Sequence, residues 1–211
     1  MPGNNYTFWC ISCQAIITPF CYNRGVGKIR NIVVLGATGS IGTQTLDVAR
    51  QHSDKLKVVG LVAHSSKEKL EAAAQEFGVS NTILVSDQNS EAEATAKISK
   101  LIENDNVDIV VNAMSGAAGL TASYTTLKNN KRLALANKES LVVGGDLLIP
   151  MAKNNLLPID SEHGAIFQCL MGEEKSNINK IHLTASGGPF YGKRKDELQN
   201  VTSKDALKHP T

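Results

Sequence analysis

Ile29-Arg30-Asn31-Ile32-Val33-Val34-Leu35-Gly36-Ala37-Thr38-Gly39-Ser40-Ile41-Gly42 carries the strongest structural signal in the chain. The apolar, β-branched run ending at Leu35 predicts a buried parallel strand, stopped by Gly36. From Ser40 to Gln51, residues Ile41, Thr45, Leu46, Val48 and Ala49 recur mostly three and four apart. That spacing predicts an amphipathic helix. Between strand and helix, Gly36 permits a tight turn and Gly39 lets a pyrophosphate approach the backbone. Gly42 allows close helix packing, and the helix N-terminus offers free N–H groups to a phosphate. Strand, turn and helix together are the setting in which such glycines read as a dinucleotide site; the bland reading is a structural turn.

The pattern continues outward. Leu56–Ala63, Thr82–Val85, Asp108–Ala113 and Arg132–Ala136 read as strands. Lys67–Phe77, closed by Gly78, then Ser90–Asn104 and Gly119–Asn129 read as helices. Strict β-α alternation with short connections predicts an α/β fold with a doubly wound, Rossmann-like parallel sheet. After about Pro150 the rhythm changes. Leu156–Ile159 and Lys180–Thr184 read as strands around a helix at Glu162–Leu170. The expected division is therefore 28–150 for a nucleotide-binding domain and 151–211 for the beginning of an α+β catalytic domain.

Composition excludes several classes. With 42% hydrophobic residues in 211, the chain is long and apolar enough to bury a core. No apolar run reaches 18 residues, so no membrane span is expected. A net charge of +2 without a basic cluster gives no nucleic-acid footprint. Four cysteines in a chain of this size do not make a disulfide framework.

Residues 1–27 read as foreign or unstructured. They hold Cys10, Cys13 and Cys21 and no acidic residue; the first acid is Asp47. Without Arg24, Lys28 and Arg30 the basic residues fall from 22 to 19, against 20 acidic. The slight basicity thus belongs to the first 30 residues. The head lacks the basic start and clean apolar core of a secretory signal, and the Ser and Arg of a transit peptide. Three thiols lack an evident fourth zinc ligand. The favoured reading is a mis-assigned start, with initiation at Val26. The expected location is cytoplasmic, or plastid if the head is a transit peptide.

Four further segments carry chemistry. Where an NAD enzyme places an acid on the ribose, about 20 residues past the glycines, this chain has His64-Ser65-Ser66-Lys67. Hydroxyls and a cation suit a 2′-phosphate and favour NADP(H); Ser66 reads equally as a helix cap. Asn137-Lys138-Glu139-Ser140 follows the fifth strand, at the strand ends where parallel sheets hold ligands. Asp160-Ser161-Glu162 sets two carboxylates to converge on a hard cation, or simply opens a helix. Ser186-Gly187-Gly188 reads as a phosphate cradle or as a loop.

Together, GATGSIG (36–42), ALANKESLVVGG (134–145), LPIDSEHGAIFQCL (157–170) and LTASGGPF (183–190) resemble the 1-deoxy-D-xylulose 5-phosphate reductoisomerases, from about Lys28 to Thr211. The resemblance implies rearrangement of 1-deoxy-D-xylulose 5-phosphate and NADPH-dependent reduction to 2-C-methyl-D-erythritol 4-phosphate, in non-mevalonate isoprenoid biosynthesis. It implies NADPH held by Gly36, Thr38, Gly39, Ser40, Ile41 and Gly42, with Ser65, Ser66, Asn137 and Glu139 beside it. It implies Mn²⁺, Mg²⁺ or Co²⁺ on Asp160 and Glu162. Lys138, Ser161, Glu162, Ser186 and His209 would bind the phosphorylated sugar, and Lys138, Glu162 and His209 would serve catalysis. The complete enzyme would be a homodimer.

Two departures matter. His64-Ser65-Ser66 replaces the family's Gly-basic-Asn segment. The chain also stops at Thr211, before the third metal-binding Glu of the family and its C-terminal helical domain. NADPH binding without turnover is therefore expected of this chain alone. The alternatives are an NADP-dependent dehydrogenase of another family and a non-catalytic dinucleotide-binding module. One such family, the semialdehyde dehydrogenases, needs a nucleophilic thiol; Cys169, the cysteine past the head, falls in an apolar helix pattern and reads as core.

Overall fold

A computed structural model describes residues 29–182 and 188–208. Six parallel strands form one sheet: β1 (Arg30–Leu35), β2 (Leu56–Ala63), β3 (Thr82–Leu84), β4 (Ile109–Asn112), β5 (Arg132–Leu135) and β6 (Leu156–Pro158). Their order is β3-β2-β1-β4-β5-β6, the doubly wound order expected, with the chain reversing direction between β1 and β4. The helices are α1 (Ser40–Gln51), α2 (Lys67–Phe77), α3 (Glu91–Glu103), α4 (Gly119–Lys128), α5 (Glu139–Ala152), α6 (Ser161–Leu170) and α7 (Ser203–Ala206).

Alternation along the strands builds two cores. Ile32 and Val34 point to one face, where Leu46, Val48 and Ala49 of α1 and Leu70 of α2 cover them. Val33 and Leu35 point to the other, against Ile98 and Ile102 of α3 and Ala122 of α4. Leu133 and Leu135 of β5 meet Leu127 of α4 and Leu148 of α5 on that second side. Each fully buried Leu or Ile contributes about 1.5–3 kcal/mol relative to exposure. Four strands are buried on both faces, hence their near-continuous apolar runs.

Two elements differ from the sequence reading. The helix α5 was not expected. Gly144 breaks its dihedrals (φ −125°, ψ 22°) and Pro150 lies inside it. Its Val142, Val143, Leu147 and Ile149 are exposed, so no apolar stripe marks a buried face. The second concerns the change of rhythm near Pro150, which is not the edge of the sheet. Strand β6 pairs with β5 through Leu133–Leu156, Ala134–Leu157 and Leu135–Pro158, with Pro158 at an edge strand where its missing N–H is tolerated. The compact unit extends through Met171.

The second unit begins at Gly172. Its described residues form single turns at Lys175–Asn177, Gly188–Phe190 and Lys195–Leu198, and α7. Thr202 and Asp205 close the start of α7 reciprocally: Asp205 N–H donates to Thr202 Oγ1, and Thr202 N–H donates to the Asp205 carboxylate. The strand expected over Lys180–Thr184 does not form at Lys180–His182; Leu183 and Thr184 lie outside the described residues. So do residues 1–28, Ser186, Gly187 and His209.

Candidate active site

The C-terminal ends of β1, β2 and β4 open into a cavity of about 780 Å³. Gly36, Thr38 and Gly39 line it from the turn after β1, and Ala113 to Ser115 from the turn after β4. This is the crevice beside the point where strand order reverses.

The glycines are needed for different reasons. Gly36 has φ +78°, and a Cβ there would lie 2.4 Å from the Ala113 carbonyl oxygen. The turn is pinned by Gly36 and Ala37 N–H groups donating to the Val62 carbonyl at 2.9 and 2.8 Å. Gly42 lets α1 close on that turn, because a Cβ would meet the Gly36 carbonyl oxygen at 2.1 Å. Gly39 caps α1 with extended backbone and no side chain, and the first turn of α1 contains no acid. The helix ladder begins with Thr43 N–H on Gly39 O, so the amides of Ser40, Ile41 and Gly42 precede it. Ser40 and Ile41 therefore offer backbone rather than cavity-lining side chains. That is the donor set and the polarity a pyrophosphate requires.

After β2, His64 lines the cavity, while Ser65 and Lys67 are exposed and Ser66 is half-buried. Ser66 occupies the N-cap position of α2, but its hydroxyl makes no cap hydrogen bond. The cavity also takes Glu91, Thr95 and Ser99 from α3, and Thr121 from α4. Sequence reasoning missed these. The sequence reading turned Ala92, Ala96, Ile98 and Leu101 inward on this helix, whereas Ala94, Ile98 and Ile102 are the buried ones, which brings Glu91, Thr95 and Ser99 to the cavity.

Asn137 does not line the cavity. It is buried, and its amide bonds only to protein. Glu139 opens α5 and is exposed.

The carboxylate pair lies at the start of α6. Asp160 is its N-cap, and Ser161 and Glu162 are exposed in the first turn. Ser161 Oγ donates to Glu162 Oε2 at 2.8 Å. Asp160 Oδ2 accepts from Lys138 Nζ at 3.0 Å. Asp160 Oδ1 is buried without a hydrogen bond, and His163 Nδ1 stands 3.8 Å from it. Burial pushes the Asp160 carboxyl up. The Lys138 hydrogen bond and charge, with the neighbouring Glu162, outweigh burial and hold it below its ordinary value. The same hydrogen bond raises Lys138. A buried, unpaired carboxylate oxygen is what a hard cation satisfies, so the donor set fits a divalent metal. Among the described residues no three His, Cys, Asp or Glu side chains gather as a complete ligand set. Cys169, expected in the core, is exposed: Phe167 and not Cys169 turns toward the sheet.

The family profile described as 1-deoxy-D-xylulose 5-phosphate reductoisomerase matches residues 32–145, and that of the same enzyme's C-terminal domain matches 156–211. The chain belongs to the 1-deoxy-D-xylulose 5-phosphate reductoisomerase family. It is 46% identical to the Clostridium tetani reductoisomerase over 86% of this chain and 52% of that one. It is 45% identical to the Tropheryma whipplei (strain TW08/27) enzyme over 87% and 47%. The chain thus spans about half the length of these relatives. Among solved structures, the Zymomonas mobilis reductoisomerase in complex with NADPH is similar at TM-score 0.69 and 35% identity, covering 87% of this chain and 52% of that one. A reductoisomerase in complex with NADPH, fosmidomycin and magnesium is similar at TM-score 0.65 and 36% identity, covering 86% and 51%. Among the described residues no helix is long and apolar enough to cross a membrane.

Proposed function

We propose that the protein binds NADPH and a divalent cation and serves the conversion of 1-deoxy-D-xylulose 5-phosphate to 2-C-methyl-D-erythritol 4-phosphate. The observation that carries this reading is the buried, unpaired Oδ1 of Asp160 beside Lys138, at the same strand ends as the glycine turn. Gly36, Gly39 and the first amides of α1 take the pyrophosphate, and Ser65, Ser66 and Lys67 take the 2′-phosphate. Asp160 and Glu162 hold the cation, which when bound supplies Lewis-acid polarisation of substrate oxygens. Lys138 and Ser161 bind and orient the phosphorylated sugar. Ser186 and His209 complete the substrate contacts by their place in the family motifs. The reading includes a cytoplasmic, homodimeric complete enzyme, with residues 28–150 for cofactor and 151–211 for metal and substrate.

The test is NADPH oxidation by this chain with 1-deoxy-D-xylulose 5-phosphate and Mn²⁺, with and without the C-terminal half of the Clostridium tetani relative. Oxidation requiring the substrate, Mn²⁺ and the added half supports the reading. Intact NADPH binding with no oxidation in the complemented sample overturns it.

A further inference from the structure

Between β4 and α4 the chain turns through Ala113–Ala118, and five of these six residues line the dinucleotide cavity: Ala113, Met114, Ser115, Ala117 and Ala118. This turn has little regular structure of its own, only one 3-10 turn at Gly116–Ala118. Two buried asparagines hold it. Asn112, fully buried at the end of β4, accepts from Met114 N–H at 3.3 Å. Its amide donates to Gly119 O at 2.8 Å and to Ser123 Oγ at 2.9 Å. Asn137, 2% exposed just past β5, donates to Met114 O and Gly116 O, both at 2.8 Å. Its Oδ1 accepts from the backbone N–H of Ser140 at 3.0 Å and from the Ser140 hydroxyl.

A side-chain amide has two donor hydrogens and two acceptor lone pairs. All four of Asn137's are used inside the protein. Gly119 is matched to this arrangement, because a Cβ there would lie 2.7 Å from Asn137 Cγ and Oδ1.

We infer that Asn137 is a positioning residue, which with Asn112 sets the Ala113–Ala118 wall so that the cavity is preformed for the dinucleotide. A fully satisfied buried amide network is rigid, while a half-satisfied one is costly. Removing Asn137 leaves two backbone carbonyls without partners and frees the wall to move. The inference rests on the dinucleotide reading of the cavity. Its reach is one-sided: the wall belongs to β4 and α4, whereas His64–Lys67 belongs to β2.

The experiment compares the chain with Asn137→Ala, Ser140→Ala, Gly119→Ala and the double variant Asn137→Ala/Gly119→Ala. Hydrogen exchange is read in the free protein, and affinity is read for NADPH and for 2′,5′-ADP. In Asn137→Ala, exchange over 114–119 rises about tenfold while β1 and β2 stay protected, as loss of two hydrogen bonds implies. NADPH affinity falls about tenfold and 2′,5′-ADP affinity is unchanged. Gly119→Ala does the same by displacing the amide, and the double variant is no worse than Asn137→Ala. Ser140→Ala, which leaves the Ser140 N–H bond in place, gives a smaller effect of the same pattern. Unchanged exchange over 114–119 in Asn137→Ala overturns the inference whatever binds. Equal losses for NADPH and 2′,5′-ADP overturn it as general loosening. Absence of NADPH binding by the unaltered chain, with exchange behaving as expected, overturns the dinucleotide reading instead.

Discussion

Lys138 Nζ lies 3.0 Å from Asp160 Oδ2, tying the turn after β5 to the start of α6 across 22 residues. The pair leaves Asp160 Oδ1 buried without a hydrogen bond, 3.8 Å from His163 Nδ1. Lys138 directly follows Asn137, whose amide holds the cavity wall.

The pair has a definite pH signature. Asp160 titrates below its ordinary value, so its contribution is present above about pH 4 and is lost as pH falls through the folded value. Lys138 is raised, so its contribution is present below about pH 10 and is lost as pH climbs through the folded value. The Lys138 side chain is 53% exposed, so solvent screening limits the pair to roughly 0–1 kcal/mol. Lys138→Met is expected to move the Asp160 titration upward, followed by ¹³C NMR of its carboxyl. An unmoved titration contradicts the pairing.

The glycines separate backbone strain from site function. Gly36→Ala combines a left-handed φ with a backbone clash, and is expected to cost at least about 2 kcal/mol and to abolish NADPH binding. Gly42→Ala is expected to lose binding too, by pushing α1 off the Gly36 carbonyl. Gly78 has φ +63° with open space where its Cβ would go. Gly78→Ala should therefore cost only about 1–2 kcal/mol and leave NADPH affinity unchanged. Urea denaturation and NADPH fluorescence on the three variants check this; retained affinity in Gly42→Ala contradicts the loop's role.

The parallel, doubly wound sheet through β5 was legible because each strand is a short apolar run closed by turn residues and separated by a helical period. Helix α5 was not, since Gly144, Gly145 and Pro150 interrupt it and its exposed valines erase the stripe that marks a packed face. The glycine turn and the Asp160–Glu162 pair were legible as local motifs. The role of Asn137 was not. Its partners Met114 and Gly116 lie 23 and 21 residues away, and only the β4–β5 pairing brings them together. Cys169 was misplaced because a helical period alone does not say which side of α6 faces the sheet.

Cofactor choice should reside in the exposed residues after β2. Lys67 heads α2 and no acid occupies His64–Lys67, so no carboxylate there accepts a ribose 2′-hydroxyl as one does in an NAD site. Lys67→Glu is expected to weaken NADPH about tenfold or more, by exchanging a favourable charge for a repulsive one, and to leave NADH nearly unchanged. Fluorescence titration with both nucleotides reads this. Equal losses would move the 2′-phosphate contact elsewhere.

Asp160→Asn separates the proposed metal site from the fold. Asp160 makes no side-chain cap hydrogen bond to α6, so the helix should keep its start and the melting temperature should change little. The carboxylate charge is lost, and with it the ion pair to Lys138. With two carboxylates in place, Mn²⁺ should bind weakly, at a dissociation constant on the order of 10⁻⁴–10⁻³ M, as sites of few charged ligands do. In Asp160→Asn this binding should vanish, while NADPH affinity, set at Gly36–Gly42, stays as it was. Loss of the free Mn²⁺ electron paramagnetic resonance signal on titration with protein measures it. Equal Mn²⁺ affinity in the variant would remove Asp160 from the metal site and leave Lys138 as its sole purpose.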